Sequence, residues 1–127
     1  MISQIINSSN QKKYNLEKRT CDFGLRVIQF CKKIRSTDIL SPLTKQLIRS
    51  GTSIGANYLE ANEANSKREF CHRICIAKKE ARETMHWLLM ISEADESLSL
   101  KATDLYGEAH EFVLIFAAIV RNSKSKI

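Results

Sequence analysis

Apolar residues return at helical spacing in four successive stretches of this chain, and that recurrence constrains the fold more than any other feature. In the first stretch Leu16, Phe23, Val27, Phe30 and Ile34 follow one another in steps of 7, 4, 3 and 4. The second carries Leu43, Leu47, Gly51, Ile54, Tyr58 and Ala61 on one face. The third carries Phe70, Ile74, Ala77, Ala81, Leu88 and Ile91, and the fourth Leu105, Ala109, Phe112, Phe116 and Ile119. A half-buried strand would need apolar residues at every second position, and no window shows that alternation. Local signals place the ends. Ser41-Pro42 reads as an N-cap followed by proline at the first helical position. Ser66-Lys67-Arg68-Glu69 has the form of a capping box, and the fourth helix opens near Ser99. The third helix, from about Lys67 to Ala94, should be about 40 Å long at 1.5 Å per residue. One Pro and four Gly in 127 residues are too few for the turns of an all-β chain. The length suits one domain, and 43% hydrophobic residues supply a core for it. The expected fold is an all-α, antiparallel up-down-up-down four-helix bundle over residues 15–122. A flexible polar arm (1–14) precedes it and a polar tail (123–127) follows.

Within the second helix lies Gly51-Thr52-Ser53-Ile54-Gly55, which fits the Gly-x-Ser-x-Gly pattern of a hydrolase nucleophile elbow. An elbow needs a strand before the serine and a helix after it. Leu43 to Ser50 read as helix, and no sheet is available. At 100° per residue Ser53 falls on the polar side with Lys45, Gln46, Arg49, Asn57 and Glu60, away from any base the sequence can place. A phosphate-cradling loop is excluded too, because no Gly-Lys-Ser/Thr ending follows. Each glycine still costs up to about 1 kcal/mol against alanine in a helix interior. Close helix–helix approach is the reason that fits a small-x-x-x-small pair, with a large neighbouring side chain over Gly51.

More apolar surface is present than four helices can hide. Ile48, Gly55 and Leu59 flank the core stripe of the second helix. Cys71, Cys75, Ile76, Trp87 and Met90 fall outside that of the third, and Phe112 to Val120 is apolar nearly all round. Surplus of this kind marks interfaces, so a homo-oligomer is expected, with Ile48, Gly55, Leu59, Glu60, Trp87 and Met90 as candidate contacts. The competing explanation is coverage by long Lys and Arg stems.

The net charge of +6 is uneven. Residues 1–36 hold eight Lys/Arg against two acids. Arg19, Arg26 and Lys33 repeat every seven residues beside the core edge of the first helix. Arg68, Lys79 and Arg82, with His72 and His86, mark the outer side of the third. These six cations are the candidate nucleic-acid contacts, because basic stripes neutralise phosphates and an oligomer multiplies them. Solvated basic faces are also common, and no aromatic RNA-recognition motif is present.

Other chemistry finds little support. The four cysteines form no C-x-x-C pair; Cys71 and Cys75 share a helix face beside His72, but a full metal-ligand set is missing. Free thiols in a reducing compartment are the simpler reading. A di-iron bundle needs two Glu-x-x-His motifs, and only Glu83-Thr84-Met85-His86 has the spacing. No catalytic residue, cofactor or metal is therefore expected. Met1 to Asn10 lacks the form of a signal peptide, and the Phe112–Val120 run is too short to span a bilayer. A soluble, cytoplasmic, non-membrane protein is expected.

The stretch YNLEKRT, followed by QLIRSGTSIGANYLEANEANSKREFCHRICIAKKEARETMHWL, resembles a small bacterial family often encoded in intervening sequences of large-subunit ribosomal RNA genes. The likeness runs from Tyr14 to Ile91 and more loosely to Val120. It is carried by Ser53 to Asn57, Glu60-Ala61, Ser66, Glu69-Phe70, Lys79 to Ala81 and Glu83-Thr84. The resemblance implies an antiparallel four-helix bundle assembled as a ring-like pentamer. The accessory protein of diversity-generating retroelements is similar in fold, and its basic outer surface is associated with nucleic acid and reverse transcriptase. No catalytic activity is established for the family. The resemblance further suggests that Asn57, Glu60 and Ser66, with Lys79, Glu80 and Glu83, form polar contacts between helices or subunits.

Two functions follow as expectations. One is a non-enzymatic homo-oligomeric accessory protein binding RNA or DNA, RNA favoured. The other is a scaffold for an unidentified protein, without nucleic-acid binding.

Overall fold

A computed structural model describes residues 15–125. The arm expected over 1–14 lies outside the described residues, as do 126–127. Among the described residues there are four long helices and no strand: α1 (Leu16–Lys32), α2 (Leu40–Asn62), α3 (Lys67–Ala94) and α4 (Ser99–Ser125). A 3₁₀ turn, Glu96–Leu98, joins the last two. Together the helices form a bundle in which α2 packs on α1 and α3, α3 on α4, and α1 also meets α4.

The helix starts follow local chemistry. Asn15 caps α1, its side-chain oxygen accepting the Lys18 N–H at 3.3 Å. Ser66 caps α3 by accepting the Glu69 N–H at 3.1 Å. Glu69 reaches back to the Asn65 N–H at 3.0 Å, one residue earlier than in the usual reciprocal box. The start of α2 differs from the reading of Ser41-Pro42. The helix begins at Leu40, and Thr37 supplies the cap, its hydroxyl accepting the Leu40 N–H at 3.0 Å and its carbonyl the Ser41 N–H at 2.9 Å. Pro42 is then the third helical residue, still within the turn where a missing N–H costs no intrahelical bond.

Most predicted inward residues are buried: Leu16, Phe23, Val27 and Phe30 of α1; Leu47, Gly51, Ile54 and Ala61 of α2; Ile74, Ala77, Ala81, Leu88 and Ile91 of α3; Leu105, Ala109, Phe112 and Phe116 of α4. Leu43, Tyr58, Phe70 and Ile119 are half-buried against that core. So is Ile34, which lies past the end of α1 because the chain leaves the helix at Lys33. An aromatic column ties three helices together. Phe23 meets Phe112 edge-on at 5.4 Å, Phe112 stacks on Phe116 at 6.0 Å, and Tyr58 stacks on Phe116 at 6.0 Å.

Two helix contacts are made by small residues or hydroxyl side chains. Between α1 and α2, a Cβ added to Gly51 would stand 3.0 Å from both γ-methyls of Val27, and one added to Gly55 would stand 3.2 Å from the Thr20 hydroxyl. The GTSIG glycines are thus the groove into which α1 fits. Between α2 and α3, the buried Ser50 and Thr84 hydroxyl oxygens lie 3.0 Å apart. Thr84 Oγ1 is also 2.8 Å from the Glu80 carbonyl, and Ser50 Oγ is 3.4 Å from that of Leu47, so neither buried hydroxyl is orphaned.

Candidate functional site

The polar side of α3 separates its charges. Three of its four acids are engaged: Glu80 and Glu83 both accept from Arg49, Glu83 also accepts the Trp87 indole N–H at 2.9 Å, and Glu69 is occupied at the helix start, while Glu93 near the helix end is exposed. The opposite, outward edge carries Arg68, His72, Lys79, Arg82 and His86, all exposed. From Arg68 to Arg82 the edge runs 14 residues, about 21 Å at 1.5 Å per residue. None of Arg68, Lys79 and Arg82 forms an ion pair with another described residue, so a continuous positive edge is left facing solvent. The reason lies in the spacing. Glu80 and Glu83 lie to the α2 side of these bases on the helix, and packing α2 beside them leaves the basic edge outside.

The candidate stripe on α1 has a different fate. Arg19 donates from Nε to Glu108 at 3.3 Å and from Nη2 to Glu111, and its guanidinium lies 4.8 Å from the Phe112 ring centre. Arg26 is ion-paired with the same Glu108 and lies 5.8 Å from the ring centre of Phe23. Arg19 is three-quarters buried, and its charge is spent on the α1–α4 seam. Arg26 keeps 43% of its side chain exposed. Lys33, beyond the end of α1, is exposed and forms no ion pair with a described residue. Burial of Arg19 over an aromatic ring was beyond sequence reasoning: the acids that pair with it are 89 and 92 residues away.

The candidate interface residues also divide. Ile48 and Leu59 are exposed, at 37% and 52%, and Glu60 is exposed beside them. Leu59, with Leu25, 48% exposed, lines a groove of about 280 Å³ between α1 and α2. Gly55, half-buried, lets α1 approach closely at Thr20 and also lines that groove. Trp87 and Met90 are half-buried. Trp87 packs against the core, donates to Glu83 and meets the His86 ring edge-on at 4.7 Å. The apolar run of α4 is better covered than its composition suggests: Val113 and Phe116 are buried, residues 117–120 half-buried, and Leu114 is 56% exposed.

Several polar family-motif residues make contacts within the chain, while Glu60 and Lys79 are exposed. Ser53 donates to the Arg49 carbonyl at 2.6 Å, which occupies the hydroxyl of the elbow-like serine, and Asn57 donates to the Ser53 carbonyl at 2.9 Å. Ser66 is the α3 cap. Glu80 and Glu83 join α3 to α2 through Arg49. Among the described residues no three of His, Cys, Asp and Glu converge as a metal site, and no helix is long and apolar enough to cross a membrane. Burial pushes the Cys31 thiol up to about 12; Cys21, Cys71 and Cys75 are half-buried free thiols.

Comparison with known proteins places the chain. The pattern of the 23S rRNA-intervening sequence protein family matches residues 12–117. This chain belongs to that family. A crystal structure of a protein of unknown function from the S23 ribosomal protein family of Bacteroides thetaiotaomicron VPI-5482 is similar, with a TM-score of 0.75 and 27% identity. The alignment covers 84% of this chain and 98% of the Bacteroides protein. No curated protein matches the chain. The family match takes in α1, α2, α3 and most of α4, so the glycine seam, the Arg49 bridge and the basic edge of α3 all lie within the shared region.

Proposed function

We propose that this member of the 23S rRNA-intervening sequence protein family is a non-enzymatic, homo-oligomeric accessory protein of the cytoplasm that binds nucleic acid, RNA in preference to DNA. The observation that carries the reading is the outward edge of α3, where Arg68, Lys79 and Arg82 stand exposed while Glu69, Glu80 and Glu83 of the same helix are tied to its cap or to α2. An array of unpaired cations about 21 Å long can follow several phosphates of one strand, releasing counterions as it binds. The reading moves the main contact from α1 to α3, because Arg19 is held in the α1–α4 seam. We take the helices to run up, down, up and down, as short connections between successively packed helices favour. Self-association, as a pentamer, is supported by the exposed Leu25 and Leu59 of one groove, by Ile48 on α2 and by Leu114 on α4.

The test is a titration of labelled single-stranded RNA at two salt concentrations. Wild type should bind more weakly as salt rises. Arg68→Ala/Lys79→Ala/Arg82→Ala should lower the slope of log K against log salt by about 2 to 3, at roughly 0.7 to 0.9 per lost phosphate contact. An unchanged slope would rule out the α3 edge. The apolar groove between α1 and α2 favours a second reading, a scaffold for another protein. A stable oligomer that ignores RNA and DNA at low salt would move the weight there.

A further inference from the structure

The outward edge of α3 is convex, whereas one basic region of the molecule is concave. At the end of the bundle where α1 finishes, a cleft of about 360 Å³ opens between the last turns of α1 and the α3–α4 connection. Arg26, Lys33 and Lys101 line it, Phe30 and Leu98 give it apolar walls, and no acidic residue lines it. Lys33 and Lys101 are exposed and form no ion pair with any described residue. Glu96, beside Ser97 in sequence, and Asp104, three residues after Lys101, are exposed, while two other nearby carboxylates are engaged. Glu108 holds Arg26, and Asp95 accepts from the N–H and hydroxyl of Ser97 at 3.0 and 2.7 Å. Those two bonds, the hydroxyl's first, hold the Asp95 carboxyl below its usual range, so the acid is ionised but turned to its own turn.

We infer that this cleft binds a phosphate monoester. A recess lined by charge of one sign, with low-dielectric walls, focuses the field on a small anion more strongly than a convex surface does. Its size falls within the range of small-molecule pockets, about 300–1,000 Å³. Two lysine ammonium groups, beside an arginine whose charge Glu108 offsets, match a terminal phosphate, which carries close to two charges at neutral pH, better than the single charge of an internal phosphodiester. Two segments far apart in sequence, 26–33 and 97–101, supply the lining, so the cleft exists only in the folded chain. The inference stands apart from the α3 edge and can hold if that reading fails. A free mononucleotide and the 5′ end of an RNA both present the group.

The experiment uses isotope-labelled full-length protein. Adenosine 5′-monophosphate should shift the backbone amides of Gln29 to Lys33 and Ser97 to Lys101, and adenosine should not. Lys33→Ala/Lys101→Ala, two exposed positions, should weaken the affinity about tenfold, in line with loss of charge-assisted contacts. Unmoved amides in that region, or equal binding by the double variant with its helicity intact, would overturn the inference. A 5′-phosphorylated RNA that binds about fivefold tighter than its 5′-hydroxyl twin, with the preference lost in Lys33→Ala/Lys101→Ala, would name RNA ends as the source. Equal binding of the two RNAs, with the nucleotide shifts present, would name free phosphomonoesters. Loss of RNA binding in the α3 triple variant, with those shifts retained, would separate the two sites.

Discussion

Replacing Gly51 by alanine sets two effects of known sign against each other. Alanine is favoured over glycine in a helix interior by about 1 kcal/mol. Against this, the new Cβ would stand 3.0 Å from both Val27 methyls and 3.3 Å from the Val27 Cβ. Ordinary carbon contacts sit at about 3.5–4.0 Å. Val27 is fully buried, and a β-branched side chain in a helix has essentially one rotamer, so it cannot swing aside. Relief must come from α1 moving off α2, and overpacking of this kind costs about 1–3 kcal/mol. The net expectation is a loss of about 1 kcal/mol, or about 4 °C in Tm for a domain of this size. Gly107 is the control. It is exposed in α4, with nothing within 4 Å of a Cβ, so Gly107→Ala should gain up to about 1 kcal/mol. Urea unfolding followed by circular dichroism, at one fixed protein concentration, measures both. Trimming the obstacle should relieve the clash: Val27→Ala/Gly51→Ala should be more stable than the sum of the single changes by about 1 kcal/mol. If Gly51→Ala stabilises as much as Gly107→Ala, the close-approach reasoning is wrong.

Other consequences can be measured with the same unfolding assay. Thr84→Val keeps the shape of the side chain but leaves Ser50 with only the 3.4 Å contact to Leu47, and should cost about 1 kcal/mol. Ser50→Ala/Thr84→Val should cost less than the two single changes added, and strict additivity would count against a shared bond. Glu108→Gln removes the charge that Arg19 and Arg26 share. A loss of up to about 1 kcal/mol that shrinks in high salt is expected, and a loss independent of salt would point to packing instead. The Cys31 thiol, raised from 9.0 to about 12, stays protonated in the fold at pH values where the unfolded chain ionises. Its contribution is therefore full below about pH 9 and is lost as pH rises towards 12. Wild type should lose more stability than Cys31→Ala over that interval; parallel curves would refute it.

How much of this was legible in the chain differs from element to element. The four apolar stripes could be read because helical spacing is local: Ile74, Ala77 and Ala81 share a face whatever they pack against. The capping box at Ser66 was legible for the same reason, since all its partners lie within four residues. The elbow-like serine could be set aside from its helical surroundings, and the close approach at Gly51 could be anticipated from the absence of a side chain. Partners across the fold were not legible. The heptad spacing of Arg19, Arg26 and Lys33 looked uniform in sequence, yet packing α1 against α4 joined Arg19 and Arg26 to acids more than 80 residues away and left Lys33 at the mouth of a cleft. Gly55 reads as a second-face residue in sequence, and only the fold shows Thr20 beside it. Ser50 and Thr84 sat at positions a polar residue would ordinarily avoid, and only their mutual contact accounts for them.

By itself, then, the sequence determined the number of helices, the length of α3 and most of the core, because those depend on residues a few positions apart. Tertiary structure alone decided which charges are neutralised and which are offered to a partner. An ion pair or a cleft depends on distances between helices, and those depend on how glycines, hydroxyls and aromatic rings let one helix approach another.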